Sequence, residues 1–363
     1  MAAKLASNRI LQGDTLDMLP RLPAKCVDLV FADPPYNLQL QQELWRPNMT
    51  RVAPVNDAWD QFASFAAYDE FTYEWLAAAR RVMKETATIW VSGTYHNIFR
   101  VGAIMQDLGF WILNTVTWQK TNAMPNFRGV RLRNDAEFVI WAKYSEKSRY
   151  TFNHHLMKRF NAGKQLGSVW TIPACGGPER LRDAEGKRLH PTQKPEELLI
   201  RIIAASSRPG DLVLDPFLGS GTTAAIAKRL HRNWVGIERE TIYVDAAKKR
   251  IKAEQPLSID DSLLTDIAIR LKRIPFRSLV ERGYLQPGQT LYLDKPDSAA
   301  VILANGHLQA NGYTGSIHKV GAQLKRVPSC NGWTHWYYVD PTTGARTVID
   351  TLRKQVRAVA KKA

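Results

Sequence analysis

A short stretch of the chain, residues 31–37 (FADPPYN), combines groups that could hold a planar amine. It follows the apolar run VDLV, so a carboxylate, two prolines and an aromatic ring come after a predicted buried strand. Proline fixes φ and has no N–H to donate, so the loop is rigid and extended. Asp33 and the carbonyls of Pro34 and Pro35 are acceptors, whereas Tyr36 offers a flat apolar face. The stretch indicates a pocket for a planar ligand with an amino group; an ordinary turn is the alternative.

A second stretch, residues 215–223 (DPFLGSGTT), lies between the apolar run DLVL and an alanine-rich helix. Strand, glycine loop and helix is a nucleotide-binding arrangement, because glycines let the backbone approach a ligand and a helix start presents free N–H groups. A small cofactor that carries adenosine would fit here. The candidate cofactor-binding residues of this loop are Asp215, Phe217, Gly219, Ser220, Gly221 and Thr222.

An acidic residue follows at a useful spacing. Glu238 ends the next predicted strand, WVGIE, 23 residues after Asp215. A carboxylate at the end of the second strand of a nucleotide-binding unit can accept hydrogen bonds from both hydroxyls of a ribose. The spacing therefore predicts that Glu238 binds the ribose of the cofactor.

The missing fingerprints narrow the choice of cofactor. A dinucleotide site needs GxGxxG, but the third residue after Gly221 is Ala224, and no GK followed by Ser or Thr is present for a Walker loop. Without a pyrophosphate to bind, the N–H groups could hold an amino-acid carboxylate, which indicates S-adenosylmethionine. The amine of adenine is a weak nucleophile, and acceptors such as Asp33 and the Pro34 carbonyl would favour its reactive form while Tyr36 stacks on the base. An adenine within a duplex would have to be flipped out.

The composition favours a polyanionic partner. The 363 residues include 50 Lys and Arg against 34 Asp and Glu, which gives a formal charge of +16, so double-stranded DNA is a candidate partner. An anionic membrane surface is the rival, but no apolar run approaches the roughly 18 residues of a spanning helix, and MAAKLASNRI is not a secretory signal. Three separated cysteines without CxxC spacing predict no metal site and fit a reducing, cytoplasmic compartment.

Strand-like and helix-like segments alternate along most of the chain, which predicts a largely parallel α/β sheet. The predicted strands include RILQGD, VDLVFAD, ATIWVSG, WILNTVTW and AEFVIWA, with DEFTYEWLAAARRVMKE as a helix. A further helix, KPEELLIRIIAASS, should open near Pro195 and stop at Pro209. We predict a catalytic domain over residues 1–253 with a basic insertion at about 120–189, a linker over 254–273 and an accessory domain over 274–363.

The two motifs together resemble those of a known family. DPPY followed later by DPFLGSGTT is similar to the amino-group DNA methyltransferases, in the motif order of their circularly permuted β class. FADPPYNLQL, TYHNIFRVG, DLGFWILN, TGSIHKVGA and CNGWTHWYY resemble the cell-cycle-regulated adenine methyltransferases that act on GANTC. The resemblance implies a Rossmann-like, S-adenosylmethionine-dependent methyltransferase sheet and a small C-terminal accessory domain. It also implies cofactor roles for Asp14 and for Lys194, which lies in HPTQKP.

Two regions are candidates for DNA contact. The insertion mixes aromatic residues with basic ones, among them Lys120 and the predicted DNA-binding residues Arg128, Arg131 and Arg133. The C-terminal region carries Trp333 and Trp336, which could stack on unpaired bases or form the core of a small domain. By the resemblance, this region is an accessory domain that helps to bind DNA and separate its strands.

Other functions remain open from the sequence. A nucleotide-dependent oxidoreductase is opposed by the missing GxGxxG, and an architectural DNA-binding protein would leave both motifs without a role. Methylation of the cytosine N4 amine, of RNA or of another DNA sequence within a restriction–modification system would need the same acceptors. The sequence does not distinguish a monomer from a homodimer.

Overall fold

The computed structural model of the protein describes residues 6–38, 44–45, 51–52, 60–126, 129–266, 274–293, 298–341 and 343–362, with the backbone alone for 44–45, 51–52 and 357–362. The chain divides into two compact units, Met1–Ala268 and Ile269–Ala363. Across the described residues, no helix has the length and apolar character that a membrane span needs.

The first unit is built on an eight-stranded sheet with helices on both faces. The described strands of this unit, inside and outside the large sheet, are β1 (Arg9–Gln12), β2 (Val27–Ala32), β3 (Leu44–Trp45), β4 (Arg51–Val52), β5 (Met83–Gly93), β6 (Trp111–Gln119), β7 (Ala136–Lys143), β8 (Val169–Thr171), β9 (Leu212–Asp215) and β10 (Asn233–Glu238). Its helices are α1 (Thr15–Met18), α2 (Phe65–Val82), α3 (Ile98–Asp107), α4 (His154–Arg159), α5 (Glu196–Ser206), α6 (Thr222–Arg229) and α7 (Thr241–Ala253).

The large sheet has the order β1-β10-β9-β2-β5-β7-β6-β8, while β3 and β4 form a separate antiparallel pair. Within the described strands of the large sheet, β7 alone runs against the others. Successive side chains of a strand point to opposite faces. Phe31 of β2 accordingly joins the core under α5 and α6, whereas Val30 joins the core under α2 and α3. The prediction of a largely parallel α/β sheet is confirmed.

Two predicted helix ends differ from the structure. Helix α2 was expected to continue through Glu85, but it ends at Val82 because Met83 is extended and opens β5 beside β2. Helix α5 ends at Ser206, short of Pro209, where the Asn153 side chain binds the carbonyls of Ala204 and Ser207. Tertiary partners therefore set both boundaries.

The region predicted as a basic insertion contributes two strands to the sheet. Residues 136–143, which include the predicted strand AEFVIWA, form β7 between β5 and β6, and residues 169–171 add β8 at the edge. Part of the expected linker also packs on the first unit. The Leu257 N–H donates to the Arg229 carbonyl, Leu264 is buried, and Asp266 accepts from the Leu156 N–H.

The second unit contains a six-stranded antiparallel sheet in the order β14-β13-β12-β11-β15-β16. Its strands are β11 (Thr290–Tyr292), β12 (Ala299–Ile302), β13 (Leu308–Ala310), β14 (Tyr313–Gly315), β15 (Tyr337–Val339) and β16 (Arg346–Val348). Its helices are α8 (Arg277–Glu281), α9 (Ile317–Lys325), α10 (Gly332–His335) and α11 (Asp350–Lys362). These elements enclose an apolar core of their own.

Candidate active site

Four predicted carboxylates lie at one edge of the large sheet. Asp14 follows β1, Asp33 follows β2, and Asp215 and Glu238 end β9 and β10. These four strands are neighbours and parallel, so their carboxyl ends meet. Ligands of open α/β sheets bind at this edge.

A cavity of about 300 Å³ opens at this edge. Of the predicted site residues, its described lining contains Asp14, Asp33, Pro34, Pro35, Tyr36, Phe217, Gly219 and Glu238. Asp215, Ser220, Gly221, Thr222 and Lys194 do not line it, and all five are buried. Within the glycine loop, Phe217 and Gly219 line the cavity, and the cofactor roles of the other loop residues stay predictions.

Glu238 combines a buried carboxylate with fixed donors. One oxygen accepts from the Gly219 N–H at 2.7 Å and the other from the Glu240 N–H at 2.8 Å. Burial raises the pKa of Glu238, although these backbone donors oppose the rise. Each carboxylate oxygen can accept a second hydrogen bond, so Glu238 is able to receive hydroxyl donors from the cavity.

The glycine loop leaves room that a side chain would fill. Gly219 has a φ of +51°, and a Cβ there would lie 2.9 Å from the His190 Nε2 atom. The ring centroid of His190 lies 4.6 Å from that of Tyr243, and both line the cavity. Burial, with Lys194 and Arg180 nearby, lowers the pKa of His190 to about 3, so the imidazole is neutral. Close backbone approach and apolar walls from Phe217 and Ile237 fit an adenosine group.

The loop after β2 is held rigid by groups that its own sequence did not reveal. The Asp60 carboxylate accepts from the N–H groups of Tyr36, Asn37 and Leu38. The Tyr68 hydroxyl donates to the Pro35 carbonyl at 3.0 Å. The loop that presents Asp33 is therefore held in place by four hydrogen bonds to its backbone.

Asp33 is half-buried and has two donors. Lys194 Nζ lies 2.6 Å from Asp33 Oδ2, and the Tyr36 hydroxyl donates to Oδ1 at 2.6 Å. Burial raises the pKa of Asp33, and the ion pair with Lys194 opposes that rise. Tyr36 is 6% exposed and lines the cavity, so its stacking on the base stays a prediction. Its hydroxyl fixes the orientation of the Asp33 carboxylate.

Asp215 holds the glycine loop from behind the cavity. Its carboxylate accepts from the Phe217 N–H at 2.9 Å. Burial raises the pKa of Asp215 to about 7, with smaller contributions from the charges of Asp33 and Glu238 and with Thr223 and Phe217 opposing. Asp215 therefore holds the loop in place, and its ionisation lowers the free energy of unfolding of the protein.

Replacing Asp215 by asparagine should therefore change how stability depends on pH. The folded-state pKa lies above the ordinary value, so the wild type loses stability as pH rises from about 4 to 7, by at most roughly 4 kcal/mol. The variant has no such proton to lose. In urea titrations, its free energy of unfolding relative to wild type should rise across this window and level off above pH 7. A constant difference between pH 4 and pH 8 would contradict the assignment.

The predicted DNA-binding residues of the insertion are placed in part. Arg131 donates to the Tyr95 hydroxyl at 2.9 Å and Arg133 pairs with Asp135, and both arginines are exposed. Arg128 lies outside the described residues. Lys120, by contrast, is turned inward onto Glu137 at 2.6 Å and is a poor candidate for contact with phosphate.

The two tryptophans expected at the DNA are core residues of the second unit. Trp336 is 0% exposed and its indole N–H donates to the Ile317 carbonyl at 2.8 Å. Trp333 is 6% exposed and packs near Phe276 and Arg353. Neither ring can stack on a base while the core is intact, so this prediction is corrected.

Glu137 is a site residue that the sequence analysis missed. It lies at the start of β7, and because β7 is reversed its start falls at the same edge as Asp33. Lys194 Nζ lies 3.8 Å from Glu137 Oε2, and the Tyr36 hydroxyl lies 3.5 Å from the same oxygen. The antiparallel direction of β7 brings Glu137 to this edge, and strand direction cannot be read from the sequence alone.

The sheet and the cavity at its carboxyl edge define a Rossmann-like α/β protein with a ligand site at the strand ends. The chain belongs to the N6/N4 DNA methylase family, which matches residues 27–249. Residues 263–362 match a second family, described as Restriction Enzyme Adenine Methylase Associated. The chain is thus a DNA methyltransferase of this family, whose cofactor is S-adenosylmethionine.

Two relatives and one solved structure illustrate the similarity. The Type II methyltransferase M.HinfI of Haemophilus influenzae is 44% identical over 91% of this chain and 92% of its own length. The Type II methyltransferase M2.DpnII of Streptococcus pneumoniae is 42% identical over 68% of this chain and 90% of its own. The cytosine-N4-specific PvuII DNA methyltransferase shares the fold, with a TM-score of 0.53, 21% identity and coverage of 72% of this chain and 90% of its own.

Proposed function

We propose that this protein transfers a methyl group from S-adenosylmethionine to the N6 amine of an adenine that has been flipped out of duplex DNA. The observation that carries the proposal is that Asp33 and Glu238, on different strands, line one cavity. One carboxylate is placed to hold an amine and the other to hold a ribose. The cofactor supplies an electrophilic methyl group next to the loop that carries Asp33.

Asp33 acts by accepting a hydrogen bond from the target amine. The amine nitrogen is unreactive while its lone pair is delocalised into the base, and a fixed acceptor favours the pyramidal form that reacts. The Pro34 carbonyl is the second acceptor, since the Pro35 carbonyl is already bound by Tyr68. Methyl transfer would form the nitrogen–carbon bond as the sulfur–methyl bond of S-adenosylmethionine breaks, which leaves S-adenosylhomocysteine, and the amine would lose one proton to solvent.

The cofactor is held by residues of three strand ends. Glu238 would accept from the ribose hydroxyls, Phe217 and Ile237 would provide apolar walls, and Asp14 would bind near the adenine of the cofactor. Asp14 also caps α1 by accepting from the Leu16 N–H at 2.9 Å, which keeps its carboxylate in one orientation. Lys194 binds Asp33 in this structure, so its influence on the cofactor is exerted through that carboxylate.

The target sequence that we propose is GANTC, the site of the cell-cycle-regulated adenine methyltransferases that the chain resembles. The experiment is to incubate the protein with labelled S-adenosylmethionine and duplexes that cover all short sites, and to map the modified base. Label confined to the adenine of GANTC supports the proposal. Label at another sequence keeps the chemistry and rejects the site. We retain the homodimer as a hypothesis for sedimentation of the full chain to test.

We propose that the second unit binds DNA. It matches the Restriction Enzyme Adenine Methylase Associated family, and its helix α9 presents the exposed basic residues His318 and Lys319, followed by exposed Arg326. Basic residues on one helix are suited to neutralise phosphates. The buried tryptophans contribute to this unit through its stability.

Removing the second unit should weaken DNA binding and spare the cofactor site. The chain should be cut after residue 268, because Leu264 and Asp266 pack on the first unit. The slope of log affinity against log salt should fall by roughly 0.9 for each phosphate that the truncated protein no longer neutralises. As a control, Lys319→Gln with Arg326→Gln in the full chain should reduce the slope by about 2 units or less. A folded truncation with unchanged affinity, slope and methylation rate would reject the role.

A further inference from the structure

Four side chains of alternating charge lie beside the catalytic loop, in the order Asp33, Lys194, Glu137 and Lys120; Lys194 is buried and the other three are half-buried. We name them the charge row. Lys194 Nζ lies 2.6 Å from Asp33 Oδ2 and 3.8 Å from Glu137 Oε2, and Lys120 Nζ lies 2.6 Å from Glu137 Oε1. The four side chains are 15%, 6%, 12% and 15% exposed. Ion pairs with so little solvent are weakly screened, so each charge controls its neighbours.

The fold brings the charge row together from four segments. Asp33 follows β2, Lys194 precedes α5, Lys120 follows β6 and Glu137 begins the reversed strand β7. The pairing of Trp118 with Glu137, and the Lys120 N–H bound to the Asp135 carbonyl, fix the last two beside each other. The row is therefore set by sheet topology rather than by a flexible loop.

The proposed function creates a conflict within the row. Each Asp33 oxygen keeps a second lone pair for the target amine, but the Lys194 ammonium on Oδ2 and the Tyr36 hydroxyl on Oδ1 draw negative charge from the carboxylate and weaken it as an acceptor. A buried ammonium cannot leave a carboxylate without another acceptor, because an unpaired buried charge is very costly. Glu137 Oε2 is such an acceptor, and a shift of about 1 Å on the flexible lysine stem would bring Lys194 to it.

Resting on the proposed function, we infer that Lys194 holds the amine-acceptor position of Asp33 and moves to Glu137 when the target amine arrives. Glu137 is then a positioning residue: it acts through Lys194 and touches neither substrate nor cofactor. Lys120 affects how readily Lys194 moves, because both lysines interact with the Glu137 carboxylate.

The protonation states fit this exchange. Burial acts to raise the pKa of Glu137, but Lys194 and Lys120 outweigh it and hold the pKa below the ordinary value. Burial acts to lower the pKa of Lys194, but Asp33 and Glu137 outweigh it and raise the pKa. Glu137 is therefore ionised and Lys194 charged at neutral pH. The other titratable or charged groups that face Asp33 or Lys194 are Tyr36, Asp60, Arg180, His190 and Asp215.

The test is Glu137→Gln in the full-length protein, with kcat measured at saturating S-adenosylmethionine and duplex DNA from pH 5 to 9. Glutamine keeps the shape but removes the charge that receives Lys194, so Lys194 stays on Asp33. We expect kcat to fall at least tenfold. The acid limb of the profile should move to lower pH, because the loss of a neighbouring anion lowers the pKa of Asp33. The dissociation constant of S-adenosylmethionine should stay within about twofold.

Lys120→Met supplies the opposite perturbation. Without Lys120, the Glu137 charge acts on Lys194 alone and draws it from Asp33. We expect kcat to be no lower than in the wild type and the acid limb to move to higher pH. Lys84→Met is the matched control, since Lys84 also forms an ion pair with an aspartate of β2, Asp28, but at the other end of the strand. It should move neither kcat nor the limb.

The outcomes separate the inference from the proposed function. A wild type that methylates no adenine rejects the proposed function and this inference with it. With an active wild type, Glu137→Gln with an unchanged kcat, or with a lower kcat and an unmoved acid limb, overturns the inference alone. Should Glu137→Gln not fold, the direction in which Lys120→Met moves the limb decides: a shift to higher pH supports the exchange, and no shift or the reverse overturns it.

Discussion

Replacing Asp33 by asparagine is expected to lower kcat about 10²- to 10³-fold and to leave the dissociation constant of S-adenosylmethionine within about twofold. The loss is that of one fixed, charged acceptor that acts as the amine becomes reactive. Asparagine retains the shape and one acceptor oxygen, and Lys194 keeps Glu137 as a partner, so the fold should survive. Methylation kinetics and calorimetry measure the two quantities.

A matched control for this variant is Asp28→Asn. Asp28 lies on β2, the strand that leads into the Asp33 loop, and it also forms an ion pair with a lysine, Lys84, at 2.7 Å. It is at the end of β2 that lies away from Asp33. It should alter stability without altering kcat. An Asp33→Asn protein with kcat within tenfold of the wild type, or roughly 1.4 kcal/mol of barrier, would remove Asp33 from the role of amine acceptor.

Glu238→Gln is expected to weaken S-adenosylmethionine about 10- to 100-fold. The variant turns charge-assisted hydrogen bonds to the two ribose hydroxyls into neutral ones, at about 1 kcal/mol each. Glutamine keeps the shape of the side chain and one acceptor oxygen, whereas alanine would leave the N–H groups of both Gly219 and Glu240 without their acceptor. The kcat at saturating cofactor should change much less than the dissociation constant.

The control for Glu238 is Asp245→Asn, an exposed acidic residue of α7 that pairs with Lys248. It should leave the dissociation constant unchanged. A folded Glu238→Gln protein with wild-type affinity in calorimetry would move the ribose site away from β10, whatever its activity.

The edge of the sheet that holds the candidate site could be predicted, because its carboxylates lie directly at the ends of predicted strands. Asp33, Asp215 and Glu238 each end an apolar run, and parallel strands align such ends without further information. The roles within that edge could not be predicted in the same way. Asp215 and Lys194 lie behind the cavity wall, and only the turn of the glycine loop, with Gly221 at a φ of +79°, decides which residues face inward.

Other features depend on contacts distant in sequence. Glu137 joins Asp33 only because β7 runs antiparallel, and apolar periodicity does not report strand direction. Trp333 and Trp336 occur in a short aromatic run, in which a core and a stacking surface have the same pattern. Met83 opens β5 in a stretch with helix-compatible residues, because pairing with β2 overrides local propensity.

The most direct test of the central claim is to identify the methylated base. Duplex DNA that contains both GANTC and cytosine-rich sites is incubated with the protein and S-adenosylmethionine, digested to nucleosides and analysed by mass spectrometry, with Asp33→Asn as the parallel control. The account predicts N6-methyladenine with the wild type and a strongly reduced amount with the variant. N4-methylcytosine as the product, or the same yield of N6-methyladenine from both proteins, would contradict it.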